Sequence, residues 1–150
     1  MGVEHADQKR GAISMTADET KNLLHRWYGE MWGPGNADLI PELAGPVYTR
    51  HEMAGTRKVT SEEYRDQTAH FLSKITIKDL HYGLVAEGNK VCAIGSWRVF
   101  GLPDDESGNG KQWDWVQLFR AKEGRLVETW LSGIGMNTNW DEEVWRHVPR

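Results

Sequence analysis

The chain has 150 residues, enough for one ordinary domain and too few for two. Apolar residues make up 39% and charged residues 27%, with a net charge of −4; this excludes a disordered or fibrous chain and disfavours nucleic acid as a partner. No apolar run approaches the roughly 18 residues that cross a bilayer, and no charged-then-apolar leader opens the chain, so a cytoplasmic protein with no membrane partner is expected.

Residues 1–15 are polar and without period, which reads as a disordered tail before a single domain over 16–150. Thr16 with Glu19 three positions on reads as a capping box. Leu23, Leu24, Trp27, Tyr28, Met31 and Trp32 then recur at helical spacing. The spacing predicts one helix from Ala17 to Trp32, stopped by Gly33-Pro34-Gly35-Asn36. A short helix follows over Ala37 to Leu43, with Pro41 poorly placed in its interior. Val47 to Met53 reads as a strand. Ser61-Glu62-Glu63 opens a third helix, with Tyr64, Thr68, Phe71 and Leu72 on one stripe. Four strands are predicted next: Ile75 to Glu87, Lys90 to Phe100, Gln112 to Ala121 and Arg125 to Ile134. Gly88-Asn89 and Lys122-Glu123-Gly124 are hairpin signals. Gly101 to Gly110 is a loop, read as a flexible mouth to a pocket. Asn139 to His147 reads as a short terminal helix. Helices followed by an antiparallel meander give an α+β class, with helices on one face of a curved sheet.

The single Cys92 rules out an internal disulfide and fits a reducing compartment. Eight tryptophans are the unusual feature. Tryptophan is large and amphipathic, so an aromatic-lined cavity or an aromatic subunit contact is expected. None of the six histidines forms a His-x-x-x-His pair, so no metal site and no cofactor are expected.

Several segments together resemble one family. Trp27-Tyr28, Trp32-Gly33-Pro34-Gly35-Asn36-Ala37-Asp38-Leu39, Val47 to His51 with Ala54-Gly55, Val85 to Val91 and Leu118 to Trp130 resemble, in order, the first helix, first strand, central hairpin and final hairpin of SnoaL-like proteins. The resemblance covers about residues 18 to 136. It implies a cone: a curved, mostly antiparallel sheet wrapped around three helices, with a pocket inside. The superfamily includes ketosteroid isomerases, limonene epoxide hydrolases and nuclear transport factor two, so the resemblance leaves the chemistry open.

Strand alternation nominates the pocket residues. If His51 faces inward, so do Thr49 and Val47. Val91, Ala93, Gly95, Trp97 and Val99 share the expected concave face of their strand. Trp113, Trp115, Gln117 and Phe119 share that of the next. Glu128, Trp130, Ser132 and Ile134 share a face of the last. Gly95 is expected to leave room inside the cone. His51 is the candidate acid/base, since imidazole titrates near neutral pH. The resemblance places it where ketosteroid isomerases carry an aspartate base. It likewise places Tyr28 at their oxyanion donor and Gln117 where the family often has an acid. Trp27, Phe71, Trp97, Trp113, Trp115, Trp130 and Ser132 are the candidate substrate contacts. Plain core packing is the competing reading of each. An Asp-Arg-Asp epoxide hydrolase relay is absent, because Gly95, Trp97 and Ser132 stand at its positions. Asp114, the acid nearest the cyclase position, falls on the other strand face.

The residues leave three readings: a cofactor-independent acid/base enzyme on a small hydrophobic oxygenated or aromatic molecule, of cyclase, isomerase, lyase or hydrolase type; a non-catalytic small-molecule-binding or accessory protein; and a dimerisation module. A pocket sealed by tryptophan favours the last, and an open pocket holding a second titratable group favours the first. Val116, Leu118 and Ile94 leave apolar area on the outer sheet face, so a homodimer is expected.

Overall fold

The computed structural model describes residues 14–136. The predicted terminal helix lies outside the described residues, as does the predicted tail apart from Ser14 and Met15. Met15 packs against the core.

Helix α1 spans Ala17–Arg26. Thr16 caps it: the Glu19 amide donates to Thr16 Oγ1 at 3.1 Å. The predicted helix continues to Trp32, but in a wider form. Trp27–Trp32 is π-helical. Gly33 and Asn36 donate to carbonyls five residues back, Tyr28 at 2.9 Å and Met31 at 2.8 Å. The wider turn buries Trp27, Tyr28 and Met31 together, and such π turns recur at functional sites. A 3₁₀ turn, Ala37–Leu39, leads into a four-residue helix α2, Ile40–Leu43. Pro41 sits in its first turn, where the missing N–H costs nothing.

Strand β1 spans Ala44–Glu52, and β2, Gly55–Thr60, pairs antiparallel with it. Strand β2 was not expected from the sequence. Its residues are polar and only Val59 is buried, the composition of a blunted edge strand rather than of an alternating one. Helix α3 spans Ser61–Leu72 behind a full capping box of Thr60 and Glu63. The predicted meander then follows as β3 Thr76–Glu87, β4 Lys90–Phe100, β5 Lys111–Lys122 and β6 Arg125–Met136. The β5–β6 turn places both Glu123 and Gly124 at positive φ, as a tight hairpin of this hand requires.

The six strands run in the order β2-β1-β6-β5-β4-β3. Only β1 against β6 is parallel. The helices sit on the inner face. Leu24, Trp27, Tyr28 and Met31 join Val91, Ala93, Phe119 and Leu126 in one buried core. This is the expected α+β cone. Among the described residues no helix is long and apolar enough to cross a membrane.

Candidate functional site

A cavity of about 160 Å³, partly open to solvent, lies between the helices and the concave sheet face. The π-helical turn contributes Trp27, Tyr28 and Trp32; α3 contributes Tyr64 and Phe71. The sheet contributes Arg50, Trp97, Trp113, Trp115, Gln117 and Leu131. The predicted inward faces of β4 and β5 are therefore those that line it. Seven of the nominated residues meet there: Tyr28, Gln117, Trp27, Phe71, Trp97, Trp113 and Trp115.

The aromatic wall is continuous. Trp97 lies 4.4 Å from Trp115 and 5.4 Å from Trp32 between ring centroids. Trp27 stacks on Tyr64 at 6.1 Å. Trp115 Nε1 donates to the Tyr28 hydroxyl at 3.2 Å. Burial pushes the Tyr28 phenol well above its ordinary range, so it is a neutral O–H donor at any ordinary pH. Gln117 Nε2 donates to Thr129 Oγ1 at 2.8 Å. Gly95 was expected to leave room inside the cone, but it does not. A Cβ there would lie 2.3 Å from Trp115 Cζ2, so the indole already fills the gap.

Three nominated residues lie elsewhere. His51, Trp130 and Ser132 are on the outer face. Tyr48 is fully buried and Arg50 nearly so, whereas Val47 is half exposed. The inward parity of β1 thus runs through Tyr48 and Arg50, not through Val47, Thr49 and His51. In β6, Arg120 faces Glu128 while its neighbour Ala121 faces Leu126. Val127 is the extra residue of a bulge, and it switches which side chains point inward. Leu126, Thr129 and Leu131 line the inside; Glu128, Trp130 and Ser132 do not.

On the outer face His51 is held from three sides. Its Nε2 lies 2.7 Å from Glu128 Oε2, its Nδ1 2.8 Å from Thr56 Oγ1, and its ring stacks on Trp130 at 5.1 Å. A carboxylate only accepts, so Nε2 carries hydrogen toward Glu128; in the neutral ring Nδ1 then accepts from Thr56. The hydrogen bond from His51, with that from Arg120, holds the Glu128 carboxyl below its usual range.

Arg50 is the residue the sequence analysis passed over. Its side chain is 10% exposed. Its Nε donates to Glu52 Oε1 at 2.5 Å, and its guanidinium carbon lies 4.6 Å above the Tyr64 ring and 5.5 Å from that of Tyr48. Glu52 is shared with Arg57, whose Nη2 is 3.3 Å away. Burial raises the Glu52 carboxyl, but Arg50 and then Arg57 outweigh it and hold it below its usual range. The legible signal was Tyr48-x-Arg50 on one strand face opposite Tyr64, an arrangement suited to a cation over aromatic rings.

Residues 24–129 match the SnoaL-like domain. The chain belongs to this family. Among solved structures, this SnoaL-like chain is similar to a candidate polyketide cyclase of Acidithiobacillus ferrooxidans (17% identity, 80% of this chain and 89% of that one covered, TM-score 0.62). An NTF2-like protein of Burkholderia xenovorans aligns at 15% identity over 81% and 92% of the two chains, with a TM-score of 0.62. An LEH-like epoxide hydrolase of M. tuberculosis aligns at 12% identity over 77% and 80%, with a TM-score of 0.60. Identities this low carry the fold and not the chemistry. No curated protein matches the sequence.

Proposed function

We propose that this SnoaL-like domain binds a small, ring-containing molecule in its cone, in a binding or accessory role. The observation that carries this is the cavity itself: aromatic walls enclosing about 160 Å³. A dry apolar cavity of about 150 Å³ is enough to hold benzene. One ring with a short polar substituent fits that volume, and the open side leaves room for a larger substituent to reach solvent. Among the described lining residues there is neither a carboxylate nor an imidazole. A general base working near neutral pH is thus missing from the wall, and His51 is committed to Glu128 and Thr56 on the other face.

An enzyme reading draws on a different pair. Tyr28 and Arg50 can both donate hydrogen bonds to an oxygen that gains charge, and such donors lower a barrier by roughly 2.7–4 kcal/mol each when aligned. The buried neutral phenol of Tyr28 favours this second reading.

The test is titration of the full chain with a panel of single-ring compounds, read by calorimetry and by tryptophan fluorescence. Saturable one-to-one binding that Trp115→Ala weakens supports the proposal. No binding of any ring compound at millimolar concentration overturns it. Turnover of a bound compound, lost in Tyr28→Phe, would move the assignment to the enzyme reading.

A further inference from the structure

The binding reading leaves open what the ring carries. Resting on it, we infer that the ligand is a small aromatic acid: a single ring bearing a carboxylate, held by Arg50.

Arg50 is the only side chain in the described cavity wall that is charged at neutral pH. It is nearly buried, and a buried charge is costly unless it is paired. The pairing in place is incomplete. Nε is bound to Glu52 and the guanidinium also acts on the Tyr48 hydroxyl, but no second carboxylate of a described residue meets its Nη nitrogens. Glu52 in turn serves Arg57 as well as Arg50. Two guanidinium groups share one carboxylate, so the cluster carries a net positive charge, spread over Arg50 at the cavity wall and the more exposed Arg57 behind it. A guanidinium is a planar fork that matches a carboxylate through two parallel hydrogen bonds.

The rest of the wall agrees with an oxygen-bearing anion. The indole nitrogens of Trp97 and Trp113 are buried without a hydrogen-bond partner. Both residues line this cavity, and they pair directly across β4 and β5. The Tyr28 hydroxyl accepts from Trp115 and keeps its own hydrogen to donate. Aromatic walls alone would also suit an organic cation, but the Arg50 charge opposes one. The cavity volume accommodates one ring.

The experiment compares benzoate with benzamide, nearly equal in shape and differing in charge, and with benzyltrimethylammonium, by calorimetry on the full chain at neutral pH. Benzoate is expected to bind at least about tenfold tighter than benzamide, the scale of a hydrogen bond to a charged group. The ammonium compound is expected to bind weakest. Arg50→Met keeps the apolar stem and removes the charge. It should abolish the benzoate preference, lowering benzoate affinity far more than benzamide affinity, and Arg50→Lys should restore part of it. Equal affinity for benzoate and benzamide on the wild type overturns the inference while leaving the binding reading intact. A benzoate preference that survives in Arg50→Met overturns it too. Failure of all three probes and of every other ring compound removes the binding reading itself. Should Arg50→Met not fold, the wild-type comparison decides alone.

Discussion

Arg50 and His51 are adjacent in the chain and sit in two different chemical worlds. Arg50 lies inside the cone, 10% exposed, over two tyrosine rings. His51 lies outside, 30% exposed, with both ring nitrogens bonded and its face covered by Trp130. A strand alternates its side chains between faces, so one residue of offset exchanges a cavity for a surface network. Chemical reactivity read from residue type favours His51. Environment favours Arg50: a guanidinium at the wall of an apolar cavity can act on a ligand, whereas a histidine already bonded on both sides mainly fastens β1 to β2 and β6.

The comparison is broken most sharply by tryptophans on the two faces. Trp27 is 2% exposed and touches the rings of Tyr48, Tyr64 and Phe119. Trp27→Ala is expected to cost about 3–5 kcal/mol of stability. Trp130→Ala removes one stacked contact on the outer face and should cost nearer 1 kcal/mol. Urea unfolding of the two variants measures both; equal losses would mean that the two faces are equally packed. Next in size, Gly95→Ala should cost about 1–3 kcal/mol by overpacking. The new methyl meets the Trp115 indole, and displacing that ring breaks its bond to Tyr28. An unchanged melting temperature would show that the indole moves freely.

A pH series sharpens the outer face. The Glu128 carboxyl is held below its usual range in the folded protein. Its contribution to stability is therefore present above the unfolded value, about 4.3, and is lost as pH falls through the lower folded value. Glu128→Gln should flatten this part of the acid unfolding curve, followed by circular dichroism. A curve as steep as that of the wild type would assign the acid sensitivity to other carboxylates, Glu52 first. The smallest effect is expected at His51. His51→Gln should leave the affinity of a cavity ligand unchanged by calorimetry, because Trp130, Glu128 and Thr56 are its neighbours and none lines the cavity. A loss of binding would link the two faces and undo the separation drawn between Arg50 and His51.

Local signals were enough for much of the molecule. The Thr16 cap, the Ser61-Glu62-Glu63 helix start and the Glu123-Gly124 turn are all short-range chemistry, and so is the alternation of β4 and β5 that placed Trp97, Trp113, Trp115 and Gln117 on the cavity side. These strands carry large apolar residues on one face, so their orientation is written in composition. Other features depended on partners distant in the chain. The π-helical turn keeps the apolar spacing of an ordinary helix and differs in hydrogen-bond reach. Strand β2 has no apolar alternation and exists because β1 offers an edge. The orientation of β1 was undecidable locally, since Val47, Thr49 and His51 alternate with Tyr48 and Arg50 without a clear apolar side. The parallel pairing with β6, the bulge at Val127 and the two tyrosine rings around a guanidinium decided it. The sequence by itself determined the order of elements other than β2 and most of the aromatic lining, because those follow from periodicity and turn chemistry, while the cone followed from the resemblance to SnoaL-like proteins. Only the tertiary structure decided that the charge inside the cavity belongs to Arg50 and not to His51. A one-residue shift of register leaves local propensity untouched and turns every side chain to the opposite face.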